Sequence, residues 1–197
     1  MLAVAAGSQQ LTQAMRALEG LFLVGVEGVT EVWLVRHADC YQGLTDPLDP
    51  PLSALGREQA ARLAARVRRM QPTAVYSSPS RRALETAHAI TDELRVDHRL
   101  IEMALEVGAD GSLDLKEAPS GVIERMTSAI DQVAQAHAGG RIVMVGHGAA
   151  IVAYLTSVLR LEPGQLRILP HYTSISVVRA LDDRRMVGAI GDAAHLE

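Results

Sequence analysis

Two unbroken apolar runs, VWLV at 32–35 and IVMV at 142–145, restrict the possible folds more than any other feature of the chain. Neither alternates with polar residues. Each therefore reads as a strand covered on both faces, the arrangement of a parallel sheet sandwiched between helices. Both runs also end on polar residues: Arg36 and His37 follow the first, and Gly146, His147 and Gly148 follow the second.

Helical patterns separate the strands. Ser53 stands as an N-cap before the stripe Ala60, Leu63, Ala64 and Val67. Thr73 to Ser77 is a short β-rich run leading into Ser78-Pro79, an N-cap followed by proline at the first helical position, with Ala83, Ala87, Ile90 and Leu94 along one face of the helix. Val122, Met126, Ile130 and Val133 mark a helix over about 121–137, and 149–160 is apolar nearly all round, as a central helix is. Thr173–Val178 and Arg185–Ile190 close the chain as two strands around an LDDR turn. Gly43, Pro47, Pro50 and Pro51 mark a loop over 41–51, and the stretch from about 96 to 119 is irregular, fitting a lid or loop above a site. The fold expected is α/β, a three-layer sandwich with a mostly parallel central sheet flanked by helices. Ligands in such sheets sit beyond the carboxyl ends of the strands. Three ends carry polar groups here: Arg36-His37, Ser77 to Arg82, and His147.

A chain of 197 residues has room for one domain with a sizeable core. We assign that domain to 31–197 and treat 1–30 as an N-terminal extension, where Leu11, Met15, Leu18 and Phe22 fit a short amphipathic helix. No Lys or Arg precedes Arg16, which argues against a secretory signal, and no run approaches the roughly 18 apolar residues of a membrane span. A net charge of -4, with one Trp, four Tyr and one Phe, supplies neither the basic footprint nor the stacking platforms that nucleic acid needs. Cys40 is the single cysteine, so no internal disulfide forms and a reducing, cytoplasmic setting is expected.

Taken singly, the polar residues say little. A strand-end histidine such as His37 is commonly structural, Arg36 alone reads as a surface cation, and Gly-His-Gly reads as a tight turn. Together, two imidazoles and the guanidinium groups of Arg36 and Arg82 at one sheet edge suit an anion, and the helix after Gly148 adds an N-terminus that favours one. A thiol phosphatase is excluded, because the residue six positions after Cys40 is Asp46, where that chemistry needs Arg. His37-Ala38-Asp39 has no further His/Asp cluster at ligand spacing, so neither a metal nor a cofactor is expected. A G-x-S-x-G elbow and a P-loop are both absent.

The segments VWLVRHADCY, PLSALGREQAARLA, VYSSPSRRALETAHAI and IVMVGHGAAIVAYL, in that order, resemble the histidine phosphatase superfamily, which includes phosphoglycerate mutases and many small phosphatases. The resemblance runs from 31 to about 156, and YTSISVV looks like that family's closing strand. It implies a phosphoglycerate mutase-like fold. It also implies that His37 is the nucleophile, that Arg36, Arg82 and His147 bind phosphate, and that Glu102 is the proton donor, with Asp39 and Glu106 as rival acids. Ala38 stands where the family has Gly, and Ser80 where it has Leu. The activity implied is metal-independent hydrolysis of a phosphate monoester through a phosphohistidine, with a small phosphorylated molecule or a phosphoprotein as partner. A phosphohistidine-protein phosphatase, a mutase and a catalytically weak phospholigand-binding protein remain as alternatives, and oligomeric state stays open.

Overall fold

The computed structural model describes residues 2–41, 46 and 49–197, so the loop-formers Gly43 and Pro47 lie outside the described residues. The chain runs through β1 (Thr30–Arg36), β2 (Ala74–Ser77), β3 (Leu94–Val96), a hairpin of β4 (Leu105–Val107) and β5 (Leu113–Leu115), then β6 (Arg141–Gly146), β7 (Ile175–Leu181) and β8 (Arg184–Asp192). Its helices are α1 (Leu2–Leu21), α2 (Ala54–Arg69), α3 (Arg81–Ile90), α4 (Pro119–Ala136) and α5 (Gly148–Val158). Six strands form the central sheet in the order β3-β2-β6-β1-β7-β8. The first four are parallel neighbours, β7 is antiparallel to β1, and β8 is antiparallel to β7.

The apolar runs form buried strands because alternate side chains meet different helices. Val32, Leu34, Ile142 and Met144 pack on Val122, Met126 and Ile130 of α4 and on Ile151 and Leu155 of α5. Trp33, Val35, Val143 and Val145 face the other way, onto Leu63 and Val67 of α2 and Ala83 and Ala87 of α3. This is the three-layer α/β architecture that the strand pattern implied. Register then aligns the functional ends: Arg36 pairs with Gly146, and Ser77 with Val145, across strands about 4.8 Å apart.

Several local expectations need correcting. The N-cap of α3 is Ser80, not Ser78, and Ser78 Oγ is instead within 2.9 Å of His147 Nε2. Leu94 does not continue that helix. Thr91 turns extended at its C-terminus (φ -157°), and Leu94 opens β3, parallel to β2. The irregular stretch contains the antiparallel β4-β5 pair, with Glu106 opposite Asp114. At the N-terminus, α1 spans 20 residues, longer than the short helix its stripe suggested, and leaves Leu11 65% and Met15 47% exposed. None of the described helices is long and apolar enough to cross a membrane.

Candidate active site

Backbone hydrogen bonds extend the parallel ladder one step past the strand ends. His37 N donates to the Gly146 carbonyl (2.9 Å), and Ser78 N to the Val145 carbonyl (2.9 Å). Thr173, held at a positive φ of 60°, donates its N–H to the Arg36 carbonyl (2.9 Å). Arg36, His37, Ser78 and His147 are thereby fixed by the sheet itself. Arg82 reaches them from the first turn of α3, which Thr86 ties down by accepting from Ala38 N (3.0 Å) and donating to the Arg82 carbonyl (2.7 Å).

The two imidazoles are buried with ring centroids 5.1 Å apart, and the Arg82 guanidinium spans them. Arg82 Nε donates to His37 Nε2 (3.3 Å), and Arg82 Nη2 lies 3.2 Å from His147 Nδ1. A guanidinium can only donate, so both of those ring nitrogens present lone pairs. Their protons then sit on the far nitrogens: His37 Nδ1 donates to the Ala38 carbonyl (2.8 Å), and His147 Nε2 to Ser78 Oγ (2.9 Å), with Ser80 Oγ at 3.1 Å. Burial pushes the His37 pKa from 6.5 down to about 3, with Arg82 and Arg36 acting in the same direction and the Ala38 carbonyl against them. His147 falls to about 2, again through burial first and then through His37 and Arg82. The pair is therefore neutral near pH 7.

Arg36 completes the cluster. Its Nη1 donates to the Pro170 carbonyl (2.7 Å), and its guanidinium carbon lies 4.0 Å from the centroid of the Tyr172 ring. Its Nε is buried and, among the described residues, has no hydrogen-bond partner. Gly148 leaves the room: a Cβ there would lie 3.4 Å from that Nε. Glu102 is at the same sheet end, with Oε1 accepting from Met103 N (2.8 Å) and Ala150 N (3.0 Å), and Oε2 from Ala149 N (3.3 Å), so the carboxylate seats on the N-terminus of α5. The rival acids are held by other partners, although Asp39 is near enough to His37 to raise its pKa slightly against the effect of burial. Buried Asp39 accepts from Ser53 Oγ (2.6 Å) at the start of α2, and exposed Glu106 pairs with Lys116 in the hairpin (2.8 Å). Among the described residues no group of three metal-ligating side chains is assembled.

A model of the histidine phosphatase superfamily (branch 1) matches residues 32–109 and 108–193. The chain belongs to that superfamily. Curated relatives include phosphoglycerate mutase-like protein 4 of Arabidopsis thaliana, 30% identical over an alignment of 203 positions that takes in 85% of this chain and 87% of the relative. The metal-independent phosphoserine phosphatase of the same plant is 27% identical, with 85% and 84% covered. Among solved structures, phosphoserine phosphatase from Entamoeba histolytica in complex with 3-phosphoglyceric acid has a TM-score of 0.72 at 20% identity, covering 85% of this chain and all of that one. Mycobacterial glucosyl-3-phosphoglycerate phosphatase complexed with VO3 has a TM-score of 0.69 at 22% identity, covering 82% and 99%. These two likenesses carry the fold, and the relatives of this histidine phosphatase superfamily member include both phosphatases and mutase-like proteins.

Ala38, where the superfamily resemblance calls for Gly, is fully buried and is not among the residues with positive φ, so its methyl fits without backbone strain. The residues that sequence reasoning missed are those whose partners are remote. Tyr172 lies under Arg36, and Ser80 lies beside His147. Arg125 of α4 donates to the carbonyls of Arg99 (2.7 Å), Ile101 (2.8 Å) and Glu102 (3.3 Å), bracing the loop that carries Glu102. In sequence it is one more charge on an amphipathic helix; the serine in SPSRR, off the family pattern, was the one available signal.

Proposed function

We propose that this protein is a metal-independent phosphatase, with residues 31–197 as its catalytic domain, hydrolysing phosphate monoesters through a phosphohistidine on His37 in the cytoplasm. The observation that carries this reading is the state of His37: a neutral imidazole whose Nδ1–H is held by the Ala38 carbonyl, leaving the Nε2 lone pair among cationic groups that include the unpaired Nε of Arg36. A phosphoryl group entering there takes hydrogen bonds from Arg36 and Arg82, and from His147 once that ring also carries a proton on Nδ1, and these offset its charge as the leaving group departs. As Arg82 Nε turns from His37 Nε2 to a phosphoryl oxygen, the freed Nε2 lone pair attacks phosphorus in line. The bond from phosphorus to the ester oxygen breaks, and the leaving alkoxide takes a proton from the Glu102 carboxyl. The Glu102 carboxylate then removes a proton from water, which attacks the phosphohistidine and releases inorganic phosphate and free His37.

Hydrolysis of p-nitrophenyl phosphate by the parent and by His37→Ala, with and without chelator, tests the proposal. Expected are chelator-resistant turnover, an acid-labile phosphoenzyme in the parent, and a loss of about a thousandfold or more in the variant. Turnover retained by His37→Ala would overturn it. A mutase would instead return the phosphoryl group to a second hydroxyl, so phosphate release from 3-phosphoglycerate separates the two activities.

A further inference from the structure

A cavity of about 480 Å³ opens beside the cluster of Arg36 and Glu102, and its lining is apolar. Val152 of α5 and Ile123 of α4 contribute to its walls, Met103 continues the loop after Glu102, and Ile168 and Leu169 form an exposed rim. The cavity's lining neighbours residues of the proposed phosphate site at three points. Gly148 lines it and also abuts Arg36; Met103 adjoins Glu102 in the chain; Leu169 precedes Pro170, whose carbonyl holds Arg36. Among the described residues no charged side chain lines it. An apolar room thus lies beside the residues that flank Arg36 and Glu102.

Resting on the phosphatase reading, we infer that the cavity takes the alcohol part of the substrate, and that this part is an uncharged, largely apolar alkyl or aryl group. Volume and lining both fit: sites of this size that are mostly apolar bind ligands by removing apolar surface from water. A carboxylate or ammonium group placed there loses its hydration and meets no partner of opposite charge. Small anionic esters such as phosphoserine and 3-phosphoglycerate are accordingly disfavoured, even though solved structures of similar fold contain those two ligands.

The test is kcat/KM for methyl, butyl, hexyl and octyl phosphate, beside phosphoserine and 3-phosphoglycerate, in the parent and in Val152→Asp. Expected is a rise of about three- to fourfold per methylene until the cavity is filled, with a flattened slope in the variant. A flat series with measurable turnover, or phosphoserine exceeding every alkyl ester, would overturn the inference. Calorimetric binding of methylphosphonate and hexylphosphonate reads the same preference without catalysis. Tighter hexyl binding in a protein that turns over no ester would keep the cavity assignment and remove the phosphatase reading, whereas equal binding of the two would remove the assignment itself.

Discussion

His37 and His147 are buried beside one guanidinium, and that burial makes acid a specific threat to the fold. In the unfolded chain each ring titrates near 6.5, whereas the folded values are about 3 and about 2. Between those limits the unfolded chain binds more protons than the folded one, so stability is fully present above pH 6.5 and falls as the pH drops through the window below it. At pH 5 each ring is expected to cost about 2 kcal/mol relative to pH 7.5. Urea unfolding at the two pH values measures this, and His147→Asn is expected to remove about that much of the loss; an unchanged loss would mean the ring is not held neutral. Arg125 makes a second case at this scale. Its three bonds to backbone carbonyls position Glu102 without touching the phosphate cluster. Arg125→Ala is expected to lower kcat for hexyl phosphate by roughly 10- to 100-fold, and much less for p-nitrophenyl phosphate, whose leaving group needs little protonation. Equal losses for both substrates would deny it the positioning role.

At the scale of elements, the start of α2 is the tightest joint near the site. A Cβ on Gly56 would lie 1.9 Å from the Asp39 carbonyl oxygen, so Gly56→Ala forces apart the helix and the loop that follows His37. A destabilisation of about 3 kcal/mol or more is expected, with turnover falling alongside. Gly121→Ala in α4, whose nearest neighbour is 3.9 Å away, is expected to stabilise by up to about 1 kcal/mol, and thermal unfolding compares the two variants. Legibility followed the same physics. The strands buried on both faces, and α2 with its Ser53 cap bonded to Gly56 N, were plain in the sequence because a repeating pattern and a local cap are properties of neighbouring residues. The strands β3, β4 and β5 were not, since three residues are too few to show a period of two. Leu94 moreover falls four positions after Ile90, where a continuing helix would put its next apolar residue. Arg36, His37, Arg82 and His147 were legible through their motifs. Tyr172 was not, because its place under Arg36 depends on the path of the loop that joins α5 to β7.

At the scale of the whole molecule, α1 is joined to the rest mainly through its last turn, where Arg184 Nη2 donates to the carbonyls of Gly20 (3.4 Å) and Leu21 (2.7 Å), and through buried Leu23 just beyond. Leu11, Met15 and Leu18 are exposed. Deletion of residues 2–19 is therefore expected to leave turnover intact and to shift Tm by no more than about 3 °C, as read by calorimetry. Loss of folded protein would make the helix part of the domain rather than an extension. The strand order has a consequence of a different kind. β6 lies between β1 and β2, yet it is translated after both. A nascent chain that has left the ribosome only as far as Pro119 carries Arg36 and His37 at the end of β1 and Arg82 in the helix after β2, with the strand between β1 and β2 still missing. Their inner edges stay open until Arg141–Gly146 emerges, and for that interval the growing polypeptide presents unpaired apolar strands that invite chaperones or other nascent chains.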